Sequence, residues 1–258
     1  MAGGKSMTMI TESEKLVPTE ADAQIKACLL NRQSFALIAG AGSGKTTSLI
    51  QSLDLLREHF GSLLRKDGQQ IVCITYTNRA VDVIRKRLNQ DDLFFVSTMN
   101  SFLWMLVSSY QRDIRSCVIS YLIPKKINKY TAESSGNSQK ARNALTRIAQ
   151  LQQSLENLDE NQKFIYSDSV FTNFDTGELG HDDAIDIAAY LLNTKPILQK
   201  IVASRFPFIF VDEAQDTLPE VIEALNRLPS LSSKPVVSYF GDPMQQIYDK
   251  RAGVLDVN

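Results

Sequence analysis

The sequence predicts an α/β fold: a mostly parallel sheet covered by helices on both faces and interrupted once by a mainly helical insertion. Three observations carry that expectation. Short apolar runs alternate with helix-compatible stretches from Ser34 to Tyr110 and again from Phe206 to Phe240, the pattern of a parallel sheet wrapped by helices. Between Gln111 and about Arg205 the strand signal disappears and polar, helix-compatible sequence takes over. A glycine-rich loop, AGAGSGKTT at Ala39–Thr47, joins the first strand to the helix after it.

Taken in order, Thr19 with Asp22 three residues on starts a helix that runs to Leu30. SFALIA is a short buried strand feeding the loop, and Thr46 to Phe60 is a helix. Gln70–Thr75 and Leu93–Val96 are strands, each followed by a helix, Asn78–Leu88 and Ser101–Tyr110. Late in the chain the strands Phe208–Val211 and Pro235–Phe240 flank a helix from Pro219 to Leu228. The expected organisation is a flexible segment 1–16, a core built from 17–110 and 206–258, and a helical insertion over 111–205. Within the insertion, ESSGNSQK at Glu133–Lys140 reads as a loop, and Trp104 just before it reads as core.

At 258 residues and 43% hydrophobic content the chain can bury a substantial core. A formal net charge of −1 and a pI near 6.2 exclude a polycation, so any nucleic-acid contact must use local patches. The insertion is charged unevenly. Residues 112–147 hold eight Lys or Arg against Asp113 and Glu133, and residues 156–186 hold nine Asp or Glu against Lys163. Either these are solvated helical faces, or the basic half lies along a phosphate backbone. Cys28, Cys73 and Cys117 have no paired spacing and only His59 and His181 accompany them, so reduced thiols in a cytoplasmic protein are expected, without disulfide or structural metal. No apolar run approaches a membrane span, and MAGGKSMTMITESEK has no signal-peptide core.

The loop carries the clearest chemistry. Gly40, Gly42 and Gly44 let the backbone turn tightly enough for consecutive N–H groups at Ala41, Ser43 and their neighbours to face phosphate oxygens, at the positive end of the helix that opens with Lys45, Thr46 and Thr47. Lys45 would reach the β- and γ-phosphates of ATP, and the Thr46 hydroxyl would ligate Mg²⁺. A strict GxxxxGK[ST] pattern would have glycine where this chain has Ala39. In FIFVDEAQDT an apolar strand ends at Asp212, a carboxylate delivered to the sheet edge for Mg²⁺, with Glu213 next to it to orient or deprotonate water. An Asp-Glu pair at a strand end also occurs as a simple helix cap; the loop upstream is what gives it chemical meaning. GDPMQQIY follows another strand, where a turn at Gly241–Asp242 would present Gln245 to the γ-phosphate.

With these segments in this order, the chain resembles the first RecA-like core of the UvrD/Rep-like superfamily 1 DNA helicases, a P-loop fold with a helical insertion at the same place. The resemblance rests on Gln24, AGAGSGKTT, ITYTNRAVDVIRKRL at Ile74–Leu88, VSTMNSF at Val96–Phe102, DEAQD, and GDPMQQIYDKRAG at Gly241–Gly253. It implies that Gln24 contacts adenine and that Lys45, Asp212, Glu213 and Gln245 serve hydrolysis. It also implies that Thr75, Thr77, Asn78, Thr98 and Asn100 hold single-stranded DNA while Tyr76 and Tyr248 offer faces for base stacking, which tolerates any sequence. From the residues alone, Tyr76 and Tyr248 are equally compatible with core aromatics, and Asn78 and Arg79 with a helix cap and a solvated charge.

Two positions depart from the family pattern. Lys250 stands where an aromatic is common and could pair with a phosphate, and Asn100 stands where histidine is common. A second RecA-like core, which would supply arginines to the γ-phosphate, is expected to be absent from these residues, because almost no sequence is left to build one, and Arg251 lies too close to the last residue to stand in for those arginines. The implied function is the ATP- and DNA-binding portion of an ATP-dependent DNA helicase, nearly inactive alone, acting in repair, replication or defence. The alternative is a short nucleotide- and DNA-binding module that modulates a full-length partner.

Overall fold

The computed structural model describes residues 19–40, 42–167, 171–231 and 233–242. The expected flexible segment 1–16, Ala41 of the loop, and Gln245, Tyr248 and Lys250 lie outside the described residues.

The strands are β1 (Phe35–Ile38), β2 (Ile71–Thr75), β3 (Phe94–Thr98), β4 (Ile165–Tyr166), β5 (Glu178–Leu179), β6 (Phe208–Val211) and β7 (Val236–Gly241). Five of them form one sheet in the order β1-β7-β6-β2-β3, every pair parallel. The helices are α1 (Glu20–Leu30), α2 (Lys45–Lys66), α3 (Asn78–Arg87), α4 (Met99–Val107), α5 (Gln111–Cys117), α6 (Ile123–Glu133), α7 (Gln139–Asn157), α8 (His181–Thr194), α9 (Pro196–Arg205) and α10 (Pro219–Asn226).

Period-two alternation in the central strands divides the core into two layers. Ile71 and Cys73, Phe208 and Phe210, and Val236 and Phe240 face a cluster completed by Ile25 and Leu29 of α1, Leu49, Leu53 and Leu56 of α2, and Val81 and Ile84 of α3. Val72 and Ile74, Ile209 and Val211, and Val237 and Tyr239 face the opposite cluster, filled by α4, α5, α8 and α10. Helices α5 and α8, from residues 111–205, therefore share with α4 and α10 in covering one face of the sheet. Trp104 packs against this second cluster, half-buried, its ring 6.3 Å from Tyr166.

Three features differ from the sequence expectation for physical reasons. Helix α2 passes the expected end at Phe60 because Gly61 is buried against Leu93, where even a Cβ would stand 3.3 Å from Leu93 Cδ2; tight packing outweighs the poor helix propensity of glycine. In the insertion, β4 and β5 pair in parallel over two residues each, too short to leave an alternation in the sequence. Helices α5 and α6 are joined by a π-turn at Val118–Leu122, which ends two residues before Pro124, whose missing N–H and ring forbid the regular bond to Ser120.

The uneven charge of the insertion is partly consumed inside it. Lys125 pairs with Asp186 and Lys126 with Asp183, each at 2.7 Å, so the basic and acidic halves meet across α6 and α8. Arg115 donates to the carbonyls of Leu158 and Asp159, and Arg147 donates to the Tyr130 hydroxyl. These contacts engage Arg115, Lys125, Lys126 and Arg147 of the eight basic residues within the protein. The thiols are unpaired; burial pushes Cys117 up to about 12 and raises Cys73 as well, which keeps both protonated. Among the described residues, no helix is long and apolar enough to cross a membrane.

Candidate nucleotide-binding site

Because every strand of the sheet is parallel, the residues that follow β1, β2, β3, β6 and β7 all emerge at one edge. The loop leaves β1 with Ala39 N donating to Gly241 O at 3.1 Å, which ties it to the end of β7. Gly42 and Gly44 have φ of +72° and +89°, so an L side chain there would be strained, and Gly44 is the N-cap of α2. Among the described residues, and apart from each glycine's own chain neighbours, no atom lies within 4 Å of a Cβ built at Gly40, Gly42 or Gly44.

Lys45 folds back over the loop. Its Nζ donates to Ala39 O at 2.7 Å and Gly40 O at 3.1 Å, and stands 3.9 Å from Asp242 Oδ2. The ammonium is thus held by neutral carbonyls and one carboxylate, contacts that a phosphate oxygen can replace with stronger charge-assisted bonds. Thr46 is exposed at the first turn of α2 and lines a cavity of about 670 Å³ together with Asp212, Glu213, Thr75, Tyr76 and Arg79.

Asp212 is 8% exposed and its backbone N–H donates to Ile74 O at 2.7 Å. Burial, reinforced by the neighbouring Glu213 charge, pushes its carboxyl up to about 6, against the pull of the Glu213 backbone, Lys45 and the Thr75 hydroxyl. Glu213 occupies the left-handed region at φ 50°, ψ 45°, a conformation that costs a non-glycine residue of order 1–2 kcal/mol and turns the chain sharply off the strand. Its Oε2 accepts from Gln215 Nε2 at 2.7 Å.

Lys45, Thr46, Asp212 and Glu213, expected from sequence to serve one site, share this edge. Asp242, Gln215, Asp22 and Ser48 belong to the same neighbourhood; from the sequence Asp22 reads as a helix cap and Asp242 as part of a turn, and none of the four has a role in this site. Asp22 caps α1 through Thr19 and accepts from Ser48 Oγ at 2.8 Å, fastening α1, with exposed Gln24, to the helix that carries Lys45. The signal for Asp242 was its place at the end of the last apolar strand. Gln215 stood inside the DEAQD motif without a role of its own, since that role depends on what it touches.

The residues expected to hold DNA lie beside this edge with unequal access. Thr75 is 1% exposed, whereas Tyr76 is 43% exposed. Thr77 and Thr98 cap α3 and α4 by accepting from Ala80 N and Ser101 N, so the cap of α3 is Thr77 and not Asn78. Asn78 and Arg79 are exposed on the first turn. Asn100 hydrogen-bonds to the ring of His181, which comes from the insertion and is held in turn by the Tyr166 hydroxyl at 2.8 Å. Asn100, His181, Thr75, Tyr76, Asp212 and Glu213 line a second cavity of about 250 Å³.

The donor set fits a magnesium-bound nucleotide. Among the described residues no cluster of three or more His, Cys, Asp or Glu could cage a metal alone. One hydroxyl at Thr46 and one carboxylate at Asp212 match Mg²⁺, which keeps waters and takes its remaining oxygens from phosphate.

A family model described as the UvrD/REP helicase N-terminal domain matches residues 20–257. The Gabija protein GajB of Bacillus cereus is 27% identical over 282 aligned positions, covering 83% of this chain and 41% of that protein. A probable DNA helicase II homolog of Mycoplasma capricolum subsp. capricolum is 26% identical over 265 positions, covering 92% of this chain and 36% of that protein. The chain spans less than half the length of either relative.

Proposed function

The chain belongs to the UvrD/REP helicase N-terminal domain family, and on that premise we propose that it is the ATP- and single-stranded-DNA-binding portion of a superfamily 1 DNA helicase or translocase. The observation that carries the reading is the meeting of Lys45, Thr46, Asp212 and Glu213 at one sheet edge beside the glycine loop. In this reading the loop N–H groups and Lys45 bind the phosphates of ATP, Gln24 meets adenine, and Gln245 responds to the γ-phosphate. Thr46 and Asp212 hold Mg²⁺, which when bound supplies charge neutralisation for phosphoryl transfer. Glu213 orients the attacking water and accepts its proton.

Single-stranded DNA would cross the neighbouring edge, where α3 and α4 begin within three residues of β2 and β3. Their capped N-termini direct partial positive charge outward, which suits a phosphate backbone without reading sequence. Tyr76 supplies a stacking face, Thr77, Asn78, Thr98 and Asn100 line the path, and Tyr248 and Lys250 extend it. Residues 111–205 act as an accessory insertion on the core formed by 17–110 and 206–258, and the protein works in the cytoplasm, in DNA repair or a related process.

Efficient hydrolysis in this reading needs a second RecA-like core, and the relatives' greater length is compatible with one. An arginine supplied across such a junction is worth about 10³- to 10⁵-fold in phosphoryl transfer. The test is an ATPase titration with single-stranded DNA and RNA on the 258-residue chain and on a longer polypeptide containing it. Nucleotide binding, weak DNA binding and little turnover are expected from the 258 residues, with DNA-stimulated turnover from the longer one. Robust stimulation of the short chain would overturn the division of labour, and a longer polypeptide that binds but never turns over would favour the modulating module.

Replacing Tyr76 by alanine is expected to weaken single-stranded DNA binding about 5- to 100-fold, the range of one lost stacking contact, and to leave MgATP affinity alone. Fluorescence anisotropy with an oligothymidine measures it. An unchanged affinity would remove Tyr76 from the DNA path.

A further inference from the structure

Gln215 sits on the single 3₁₀ turn Ala214–Asp216 after β6 and is 5% exposed. Its side-chain amide is used at both ends. Nε2 donates to Glu213 Oε2 at 2.7 Å, and Oε1 accepts from Asp242 N at 3.0 Å. The partners fix the amide's orientation, because a carboxylate accepts and a backbone N–H donates; a flipped amide would mismatch both.

The amide also explains a glycine. A Cβ built at Gly241 would stand 3.0 Å from Gln215 Oε1, so the last residue of β7 lacks a side chain where this amide passes. Asp242 in turn faces Lys45 across 3.9 Å. The contacts therefore run without a gap from Glu213 through Gln215 and Asp242 to Lys45, linking the turn after β6, the turn after β7 and the first turn of α2.

We propose that Gln215 is a positioning residue: its amide fixes the Glu213 carboxylate relative to Lys45, and so sets the rate of nucleotide hydrolysis without contributing to nucleotide affinity. The proposal rests on the reading of Glu213 as the group that orients the attacking water. Glu213 is half-buried and leaves its strand in a left-handed turn, and the Gln215 amide bonds its carboxylate there. With Oε2 bonded to Gln215, the carboxylate is tied beside the cavity that Glu213 lines with Thr46 and Asp212. A carboxylate free to rotate would meet the water in productive geometry only part of the time.

Single-turnover hydrolysis of radiolabelled ATP, with the 258-residue chain in excess over nucleotide, resolves slow turnover and tests the assignment. Gln215→Met removes both bonds at similar volume. Gln215→Glu keeps an acceptor for Asp242 N–H but sets a carboxylate against Glu213. Both variants are expected to lose at least tenfold in rate, approaching Glu213→Gln, with MgADP affinity within twofold of the parent. The double variant Glu213→Gln/Gln215→Met should be no slower than Glu213→Gln alone, since one residue acts through the other. Thermal unfolding of each protein identifies a variant that fails to fold; if Gln215→Met does, Gln215→Glu decides.

A parental rate in Gln215→Glu overturns the proposal. So does a rate loss matched by an equal loss of MgADP affinity, which marks a general disturbance, or a double variant whose losses multiply. If Glu213→Gln itself hydrolyses at the parental rate, the reading of Glu213 fails and takes this assignment with it. Those results are distinguishable because the first three leave Glu213→Gln slow.

Discussion

Replacing Lys45 by alanine is expected to weaken MgATP and MgADP binding by about 10- to 100-fold, the loss of one or two charge-assisted bonds to phosphate. AMP, which has no β-phosphate, should bind the variant and the parent equally. That comparison separates loss of a phosphate contact from damage to the loop, which is a real alternative here. Lys45 also holds the carbonyls of Ala39 and Gly40 and faces Asp242, itself 2% exposed, so its removal leaves a buried carboxylate without that cation. A loop that collapsed for that reason would lose AMP affinity too. Isothermal titration with the three nucleotides decides the matter, and undiminished ATP affinity would end the nucleotide-site reading.

The second large effect has opposite signs for stability and for metal binding. Asp212→Asn is expected to make the protein more stable in the presence of a chelator at pH 7.5, by at most about 3 kcal/mol, while abolishing the dependence of nucleotide affinity on magnesium. The argument is one of linkage. The folded protein raises the Asp212 carboxyl from an ordinary 3.8 to about 6, so its ionised form is penalised on folding. That penalty is fully present above pH 6, shrinks as the pH falls from 6 toward 3.8, and is gone below. The stability advantage of the asparagine protein should follow the same course, large at pH 7.5 and small at pH 4.5. Urea midpoints at the two pH values measure it. If the variant is less stable than the parent at pH 7.5, the burial cost assigned to Asp212 is wrong. A buried carboxylate that costs stability until a cation binds is the usual trade between stability and function.

The parallel sheet was legible because strands buried on both faces leave apolar runs punctuated by helices, and FIFV and VVSYF are such runs. The loop was legible because glycine takes up positive φ without strain, and Gly42 and Gly44 adopt it. The length of α2 was not legible, since the contact that excuses Gly61 comes from Leu93, thirty-two positions away in the chain. Nor was the fate of the charge blocks. Composition registers eight basic and nine acidic residues, but not that Lys125 and Lys126 meet Asp186 and Asp183.

The sequence by itself determined the class of fold and the placing of Lys45, Thr46, Asp212 and Glu213 at one edge of the sheet, because each is specified by local chemistry: a conformation that favours glycine, a charge at a helix start, a carboxylate at a strand end. Tertiary structure alone decided that Gln215 bridges two turns, that Asp242 faces Lys45, that His181 from the insertion reaches Asn100, and that α5 and α8 share in covering one face of the sheet. These are contacts between residues 27 to 197 positions apart, and the chain brings such residues together only when the strands between them pair. No local pattern encodes that pairing.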